Sequence, residues 1–228
     1  MAKPLRIIVM GTGPFALPML ESLLAGPHAV VAVVTRPDHA AAGRRPPINP
    51  VRAAAVAAGV PVLDPERIND AEARTAITRI GPDLLVVCDY GQILSPQVLS
   101  LAPLGGINLH GSLLPRHRGA APVQWAILEG DPITGASVIH MTPALDAGGV
   151  IVARATPIGP DESATQLERR LAELGADAVL EAIERLQAAE SLRADGPATA
   201  AAQPAVGIAQ DPAKATRAPR PLQRPARG

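Results

Sequence analysis

Short, nearly apolar runs alternate with helix-forming segments along most of this chain, and this alternation limits the possible folds more than any other feature. Examples of the runs are Arg6–Met10, Val30–Thr35 and Leu84–Cys88. Such runs are typical of strands buried on both faces of a parallel sheet, where helices cover each side. The alternation continues from residue 6 to about residue 190. It predicts an α/β fold with a doubly wound, mostly parallel sheet, in which ligands bind at the carboxyl ends of the strands.

The same patterns predict the remaining elements. Further strands are expected at Val60–Leu63, Ile107–Leu109, Ala136–Met141 and Val150–Pro157, and helices at Pro14–Ala25, Pro50–Ala58, Asp70–Ile80, Ser95–Ser100 and Pro122–Glu129. The last predicted helix has the clearest N-terminal sequence signal. It begins with the capping-box pair Ser163 and Gln166, and leucines recur at helical spacing after that pair.

The length allows one large α/β domain, or one domain plus an appendage, and the composition indicates an aliphatic core. Hydrophobic residues make up 47% of the 228 residues, whereas aromatic residues make up only 1%. So few aromatic rings argue against a nucleic-acid surface built on base stacking. Cys88 is the single cysteine, which excludes an intramolecular disulfide. No apolar run has the length of a signal region or a membrane span, so we expect a cytoplasmic protein.

The composition changes after Glu190. Residues 191–228 contain 11 alanines and six prolines but only four large apolar residues, namely Leu192, Val206, Ile208 and Leu222. That is too little apolar surface to bury a core, and the spacing of the prolines excludes long helices. We therefore expect a catalytic domain over residues 1–190, followed by a linker or disordered tail over residues 191–228.

Side chains suited to acyl-transfer chemistry occur near the middle of the chain. Asn108 and His110 are two residues apart on a predicted strand, so their side chains point to the same face. An amide can donate to a developing oxyanion, while an imidazole can move protons. Asp146 follows on a predicted turn, Ala144–Gly149, that could return to the imidazole. No spacing of cysteines and histidines indicates a metal site.

The run HGSLLPRHRGAAP, from His110 to Pro122, is followed by Leu145-Asp-Ala-Gly148. In this order the two segments resemble the signature of the 10-formyltetrahydrofolate-dependent formyltransferases. The resemblance implies a Rossmann-like domain that transfers a formyl group from 10-formyltetrahydrofolate to an amine, with no metal and no nicotinamide. It implies that the catalytic residues are Asn108, His110 and Asp146, and that the folate-binding residues are Tyr90, Gly91, Ser112, Leu113, Leu114 and Pro115.

Within this family, the run is most similar to the members that formylate Met-tRNA for translation initiation. The resemblance therefore implies initiator Met-tRNA as a partner, and we expect a monomer. The exposed loop from Arg36 to Pro50 is similar to the loop by which those members enter the tRNA acceptor arm, so it implies tRNA contacts for Arg36, Arg44 and Arg45. In those members a β-barrel follows the catalytic domain, whereas here the resemblance stops near Arg217.

Other interpretations stay open. The accepting amine could belong to glycinamide ribonucleotide or to a nucleotide amino sugar. The turn from Gly11 to Ala16 is close to a dinucleotide-binding fingerprint, which would suit a nicotinamide-binding oxidoreductase. However, Pro14 lacks an N–H for the expected phosphate cradle and no acidic residue ends the second strand, which favours a packing role. The chain could also be an impaired fragment, because the barrel is not recognised in it.

Overall fold

A seven-stranded sheet forms the centre of the part of the chain that the structure describes. The computed structural model describes residues 3–38, 49–194 and 206–219. The strands are β1 (Arg6–Gly11), β2 (Ala29–Val34), β3 (Val62–Leu63), β4 (Leu84–Cys88), β5 (Gly106–His110), β6 (Ile133–His140) and β7 (Val150–Pro157). The helices are α1 (Leu17–Ala25), α2 (Pro50–Ala57), α3 (Ala71–Ile80), α4 (Pro96–Leu99), α5 (Pro122–Leu128) and α6 (Ala164–Ala194), with 3₁₀ turns at Pro14–Ala16 and Pro212–Lys214.

The sheet is parallel from β1 to β5 and antiparallel at one edge. Its strand order is β3-β2-β1-β4-β5-β6-β7, and β6 and β7 run antiparallel to their neighbours. A helix lies in each connection between the parallel strands, as parallel pairing requires. The chain order reverses between β1 and β4, and such a point leaves a crevice at the carboxyl ends of the strands. The prediction of a doubly wound, mostly parallel α/β domain is confirmed.

Alternate side chains of the central strands enter two separate apolar layers. Ile7 and Val9 of β1 belong to the layer beneath α1, α2 and α6, whereas Ile8 and Met10 belong to the layer beneath α3 and α4. All four side chains are fully buried. Burial on both faces explains why the sequence of this strand shows no alternation of polar and apolar residues.

Helix α6 covers one face of the sheet and supports the strand that carries Asn108 and His110. The predicted capping box is present: the Gln166 N–H donates to Ser163 Oγ at 3.3 Å, and the Ser163 N–H donates to Gln166 Oε1 at 2.9 Å. Gly175 lies so close to Leu109 of β5 that a Cβ would approach the leucine Cδ atoms to 2.8 Å. None of the described helices, α6 included, is long and apolar enough to cross a membrane.

The C-terminal part of the chain contains a docked segment, residues 206–219, which we call the strap. Ile208 and Val150 exchange backbone hydrogen bonds of 2.8 and 2.9 Å, and Ala218 is fully buried. Backbone pairing to a strand needs few large apolar side chains, so the composition of residues 191–228 indicated only a linker or disordered tail. Helix α6 also continues to Ala194. The domain boundary at residue 190 stays a prediction.

Candidate active site

A cleft of about 400 Å³ opens at the carboxyl ends of β4 and β5. Its size is within the range of small-molecule sites, and its position is the one expected for ligands of open α/β sheets. The walls include Tyr90 after β4, Asn108 and His110 at the end of β5, and the turn that carries Leu145 and Asp146. The cleft is therefore built by strand ends and by the loops that follow them.

Asn108 and His110 both face this cleft from β5. The strand places Asn108 opposite Val87 of β4 on one side and Ile139 of β6 on the other. Asn108 is half-buried, whereas His110 is only 6% exposed. Because both neighbouring strands are paired to β5 along this stretch, the relative positions of the amide and the imidazole are fixed by the sheet.

The imidazole of His110 is oriented by a backbone carbonyl. Its Nε2 lies 2.9 Å from the carbonyl oxygen of His117. A carbonyl can only accept, so Nε2 carries the hydrogen of the neutral ring and Nδ1 carries none. Nδ1 lies 3.8 Å from Asp146 Oδ2, which is too long for a direct hydrogen bond. The ring thus places Nδ1 beside the carboxylate of Asp146.

Asp146 is held in place by both its backbone conformation and a neighbouring loop. Its φ of 48° lies in the left-handed region, which aspartate tolerates better than most residues. Its Oδ2 accepts a hydrogen bond of 2.9 Å from the N–H of Gly119. The structure therefore brings together the three predicted catalytic side chains, although their roles in catalysis stay predictions.

The turn that carries Asp146 packs closely on the end of β6. A Cβ added to Gly148 would lie 1.7 Å from the carbonyl oxygen of His140, whereas one added to Gly149 would have no neighbour closer than 3.7 Å. Only glycine fits the first position, because the clash is with backbone that cannot rotate away. The two glycines of the Asp-Ala-Gly-Gly sequence thus have different roles.

His117, which received no role from its sequence, lies between His110 and a charged cluster. Its φ is 56°, its side chain is buried, and its Nε2 lies 2.7 Å from Asp131 Oδ2. Atoms of His117, Glu129 and Asp131 are close enough to hold a metal ion, but Arg116 Nη2 already lies 2.5 Å from Asp131 and 3.4 Å from Glu129. Ion pairing alone accounts for the cluster. Asp131 lies beyond α5, and no local sequence pattern indicates this contact.

Residues Ser112–Pro115 are not placed on the cleft wall. Ser112 Oγ donates to the carbonyl oxygen of Arg116 at 2.6 Å, and Ser137 Oγ donates to the carbonyl oxygen of Ser112 at 2.7 Å. The Leu114 N–H in turn donates to Ser137 Oγ at 3.1 Å. These bonds turn the segment towards β6, where it shapes the loop that follows. The contact of these residues with folate stays a prediction.

Tyr90 and Gly91 do line the cleft, as the resemblance implied. Among the described residues, the buried hydroxyl of Tyr90 has no hydrogen-bond partner. Burial raises the pKa of Tyr90 to about 12, so the hydroxyl is neutral at physiological pH. Arg36 Nη1 donates to the carbonyl oxygen of Gly91 at 3.1 Å, which anchors this loop. Arg44 and Arg45 lie outside the described residues.

The turn after β1 favours a packing role over nucleotide binding. A Cβ on Gly11 would lie 2.8 Å from the Cβ of Ala16 and 2.9 Å from the carbonyl oxygen of Cys88, so glycine lets the first helix approach the sheet. A Cβ on Gly13 would lie 1.8 Å from a carboxylate oxygen of Asp89. That negative charge would repel a phosphate at the same turn.

Comparison with known proteins identifies the family of this chain. The chain is 51% identical over 225 residues to methionyl-tRNA formyltransferase of Rhodopirellula baltica, and 45% identical over 218 residues to that of Desulfotalea psychrophila. These matches cover 96% and 95% of the chain but only 65% and 63% of the relatives, so the chain spans less than two thirds of their length.

Solved structures share the fold. Glycinamide ribonucleotide transformylase 1 of Symbiobacterium toebii superposes with a TM-score of 0.68 over 81% of this chain and 88% of that one, at 24% identity. So low an identity shows similarity of fold alone. The model of the formyl transferase family matches residues 5–183. Since this match takes in most of the chain, the chain belongs to the formyl transferase family, and the resemblance seen in its sequence is confirmed.

Proposed function

We propose that this chain transfers the formyl group of 10-formyltetrahydrofolate to the α-amino group of methionine on initiator Met-tRNA. The observation that carries the proposal is the position of Asn108 and His110, side by side at the end of β5 in a cleft of about 400 Å³, with Asp146 beside the imidazole. The identity of 51% to a relative named methionyl-tRNA formyltransferase supports methionine on tRNA as the acceptor.

The reaction needs stabilisation of an oxyanion and movement of protons. The amine nitrogen attacks the formyl carbon and forms a C–N bond, and the bond from that carbon to N10 of the folate then breaks. One proton leaves the attacking nitrogen and one reaches N10. Between these steps the formyl oxygen carries a negative charge, and Asn108 faces the cleft with an amide that can donate to it.

His110 and Asp146 complete this environment. The hydrogen on Nε2 is committed to the carbonyl oxygen of His117, so Nδ1 is the position that donates when the ring is protonated. An imidazolium at this position would stabilise the oxyanion, and the carboxylate 3.8 Å away would balance its charge. Asp146 could also receive the proton of the amine through a water molecule.

The other wall of the cleft suits a flat, partly polar ligand such as a pterin. The neutral hydroxyl of Tyr90 is buried and, among the described residues, has no partner. A buried hydroxyl without a partner is unfavourable, and a ligand in the cleft would supply one. Ile93 and Leu145 at this site are 71% and 50% exposed, and apolar parts of a substrate would cover them.

Contacts with tRNA by Arg36, Arg44 and Arg45 remain part of the proposal. Arg36 is exposed and lies next to the cleft through its bond to Gly91, so phosphate binding there would place the acceptor end near His110. Salt dependence of binding would report such contacts, because each neutralised phosphate releases counterions.

An assay with purified chain, 10-formyltetrahydrofolate and initiator Met-tRNA tests the proposal. We expect N-formylmethionine to form in proportion to the tetrahydrofolate released. Parallel reactions with glycinamide ribonucleotide and a titration with NAD address the other interpretations. Formylation of glycinamide ribonucleotide but not of Met-tRNA would show that the proposed acceptor is wrong and that glycinamide ribonucleotide is the acceptor. No formyl transfer to any acceptor, together with no binding of a folate analogue, would contradict the whole proposal.

A further inference from the structure

The strap contacts both of the loops that hold the catalytic side chains. The backbone N–H of His117 donates to Thr216 Oγ1 at 2.8 Å, next to the carbonyl that orients His110. At the other end of the strap, Ile208 pairs with Val150, close to the turn that carries Asp146. The strap therefore connects the support of the imidazole with the support of the carboxylate.

One side chain of the strap joins these loops directly. Gln210 Nε2 donates to the carbonyl oxygen of Asp146 at 2.9 Å and to that of Gly148 at 2.8 Å. Its Oε1 accepts from Nη2 and Nε of Arg118 at 2.6 and 3.1 Å. Both N–H donors and both acceptor positions of the amide are thus in use. Such complete use of a side-chain amide fixes its orientation.

We propose that Gln210 is a positioning residue for Asp146 and that the strap belongs to the framework of the active site; this inference rests on the proposed formyl transfer. Asp146 has a left-handed backbone conformation, which persists in a non-glycine residue only when its surroundings hold it. Gln210 binds the carbonyl of Asp146 itself and that of Gly148, and so holds the backbone of this turn at two points.

The link to Arg118 acts on the same carboxylate. Arg118 precedes Gly119, whose N–H donates to Asp146 Oδ2 at 2.9 Å. Gln210 therefore ties the backbone of Asp146 to the loop that supplies the hydrogen bond to its side chain. Loss of the amide would free the carboxylate to move relative to His110 without breaking the backbone pairing of the strap.

Variants of the full chain separate this role from packing. Gln210→Ala removes the amide. Gln210→Glu keeps the size and the acceptor for Arg118, but it replaces the N–H donors with an oxygen that the two carbonyl groups repel. Asp211→Ala is the matched control, because the side chain of Asp211 bonds within the strap, to the N–H of Ala213 at 3.0 Å.

We expect both Gln210 variants to lower kcat for formyl transfer by about 10- to 100-fold, because misplaced catalytic groups lose reactivity before binding is lost. The KM for 10-formyltetrahydrofolate should stay within about twofold of the parent value. Asp211→Ala should keep parental turnover. A kcat near that of the parent in Gln210→Glu would overturn the proposal, because a residue that acts only by packing tolerates glutamate.

A second readout does not depend on activity. The backbone amide of Gly119 donates to Asp146, so its ¹H–¹⁵N NMR signal reports the position of the carboxylate. We expect this signal to move in both Gln210 variants and to stay in place in Asp211→Ala. An unmoved signal would overturn the proposal, even if turnover fell. If the parent chain transferred no formyl group, the proposed function would fail, yet the Gly119 signal would still decide the role of Gln210.

Discussion

His110 and Asp146 are each held by a backbone group of the loop between β5 and α5. The carbonyl of His117 fixes the Nε2 hydrogen of the ring, and the N–H of Gly119 binds the carboxylate. Neither of these two candidate catalytic groups needs the other to keep its orientation. The 3.8 Å between Nδ1 and Oδ2 therefore leaves both of them available to a substrate.

Replacing Asn108 with alanine tests the oxyanion role of its amide. We expect kcat to fall by about 100- to 1000-fold, with little change in binding of a folate analogue, because the amide acts mainly in the transition state. Gln97→Ala is the control, since Gln97 is an exposed amide on α4. Steady-state formylation kinetics measure the effect. Parental turnover in Asn108→Ala would remove this residue from the mechanism.

His28 should make stability depend on pH. Its Nδ1 accepts from the Leu5 N–H at 3.3 Å, and burial lowers its pKa from 6.5 while Glu184 opposes the shift. The folded state therefore binds a proton at His28 more weakly than the unfolded state does. The contribution of His28 to the free energy of unfolding is fully present above pH 6.5 and is lost as the pH drops below that value.

The comparison is with His28→Gln, which keeps an acceptor but does not titrate. Urea unfolding of both proteins at about pH 7.5 and about pH 5.5 gives the dependence. We expect the parent to lose more stability on acidification than the variant does. Equal losses would show that His28 does not contribute, since every other residue is the same in both proteins.

The three catalytic candidates could be predicted because their signal is local: residue types two apart on a strand, and a carboxylate on a glycine turn. The roles of His117 and Gln210 could not be predicted in this way. His117 acts through a carbonyl, which every residue has, and through a left-handed conformation that histidine does not specify. Gln210 acts across 64 residues of sequence on Asp146. The segment around Gln210 has few large apolar residues, so no apolar pattern indicates that it docks.

Among the elements, the turn between β6 and β7 leaves no room for a side chain at Gly148. Gly148→Ala would bring a methyl group against the backbone of His140, so we expect the free energy of unfolding to fall by about 1–3 kcal/mol. Turnover should fall as well, because the same turn carries Asp146. Gly149→Ala has ordinary contacts and should change stability by less than about 0.5 kcal/mol.

Urea unfolding and formylation assays of the two alanine variants measure this difference. Similar stability of Gly148→Ala and Gly149→Ala would show that the turn can move away from β6. The elements themselves were predictable within a few residues, since buried strands and capped helices are encoded locally. The strap was not, because its docking rests on backbone hydrogen bonds to loops that are distant in sequence.

For the whole molecule, the strap links the loop after β5 and the turn after β6 through hydrogen bonds to His117, Asp146 and Gly148. Trp125 of α5 adds a further contact, since its Nε1 donates to the carbonyl oxygen of Pro219 at 2.6 Å. A ligand that needs both loops in place should therefore bind more tightly when the strap is docked. By linkage, the same ligand must stabilise the docked strap.

Hydrogen exchange with and without a non-reactive folate analogue tests this coupling. The amides of Ile208 and Ala218 donate to the carbonyl oxygens of Val150 and Arg118, so they exchange only when the strap opens. We expect their exchange to slow by up to about 100-fold at a ligand concentration of about 100 Kd. The amide of Gly59 at the exposed end of α2 is the control, because it frays locally and should not respond. The contrary outcome is slower exchange at Gly119 with no change at Ile208 and Ala218. The ligand would then order the loop while the strap opens independently, so the coupling would be absent.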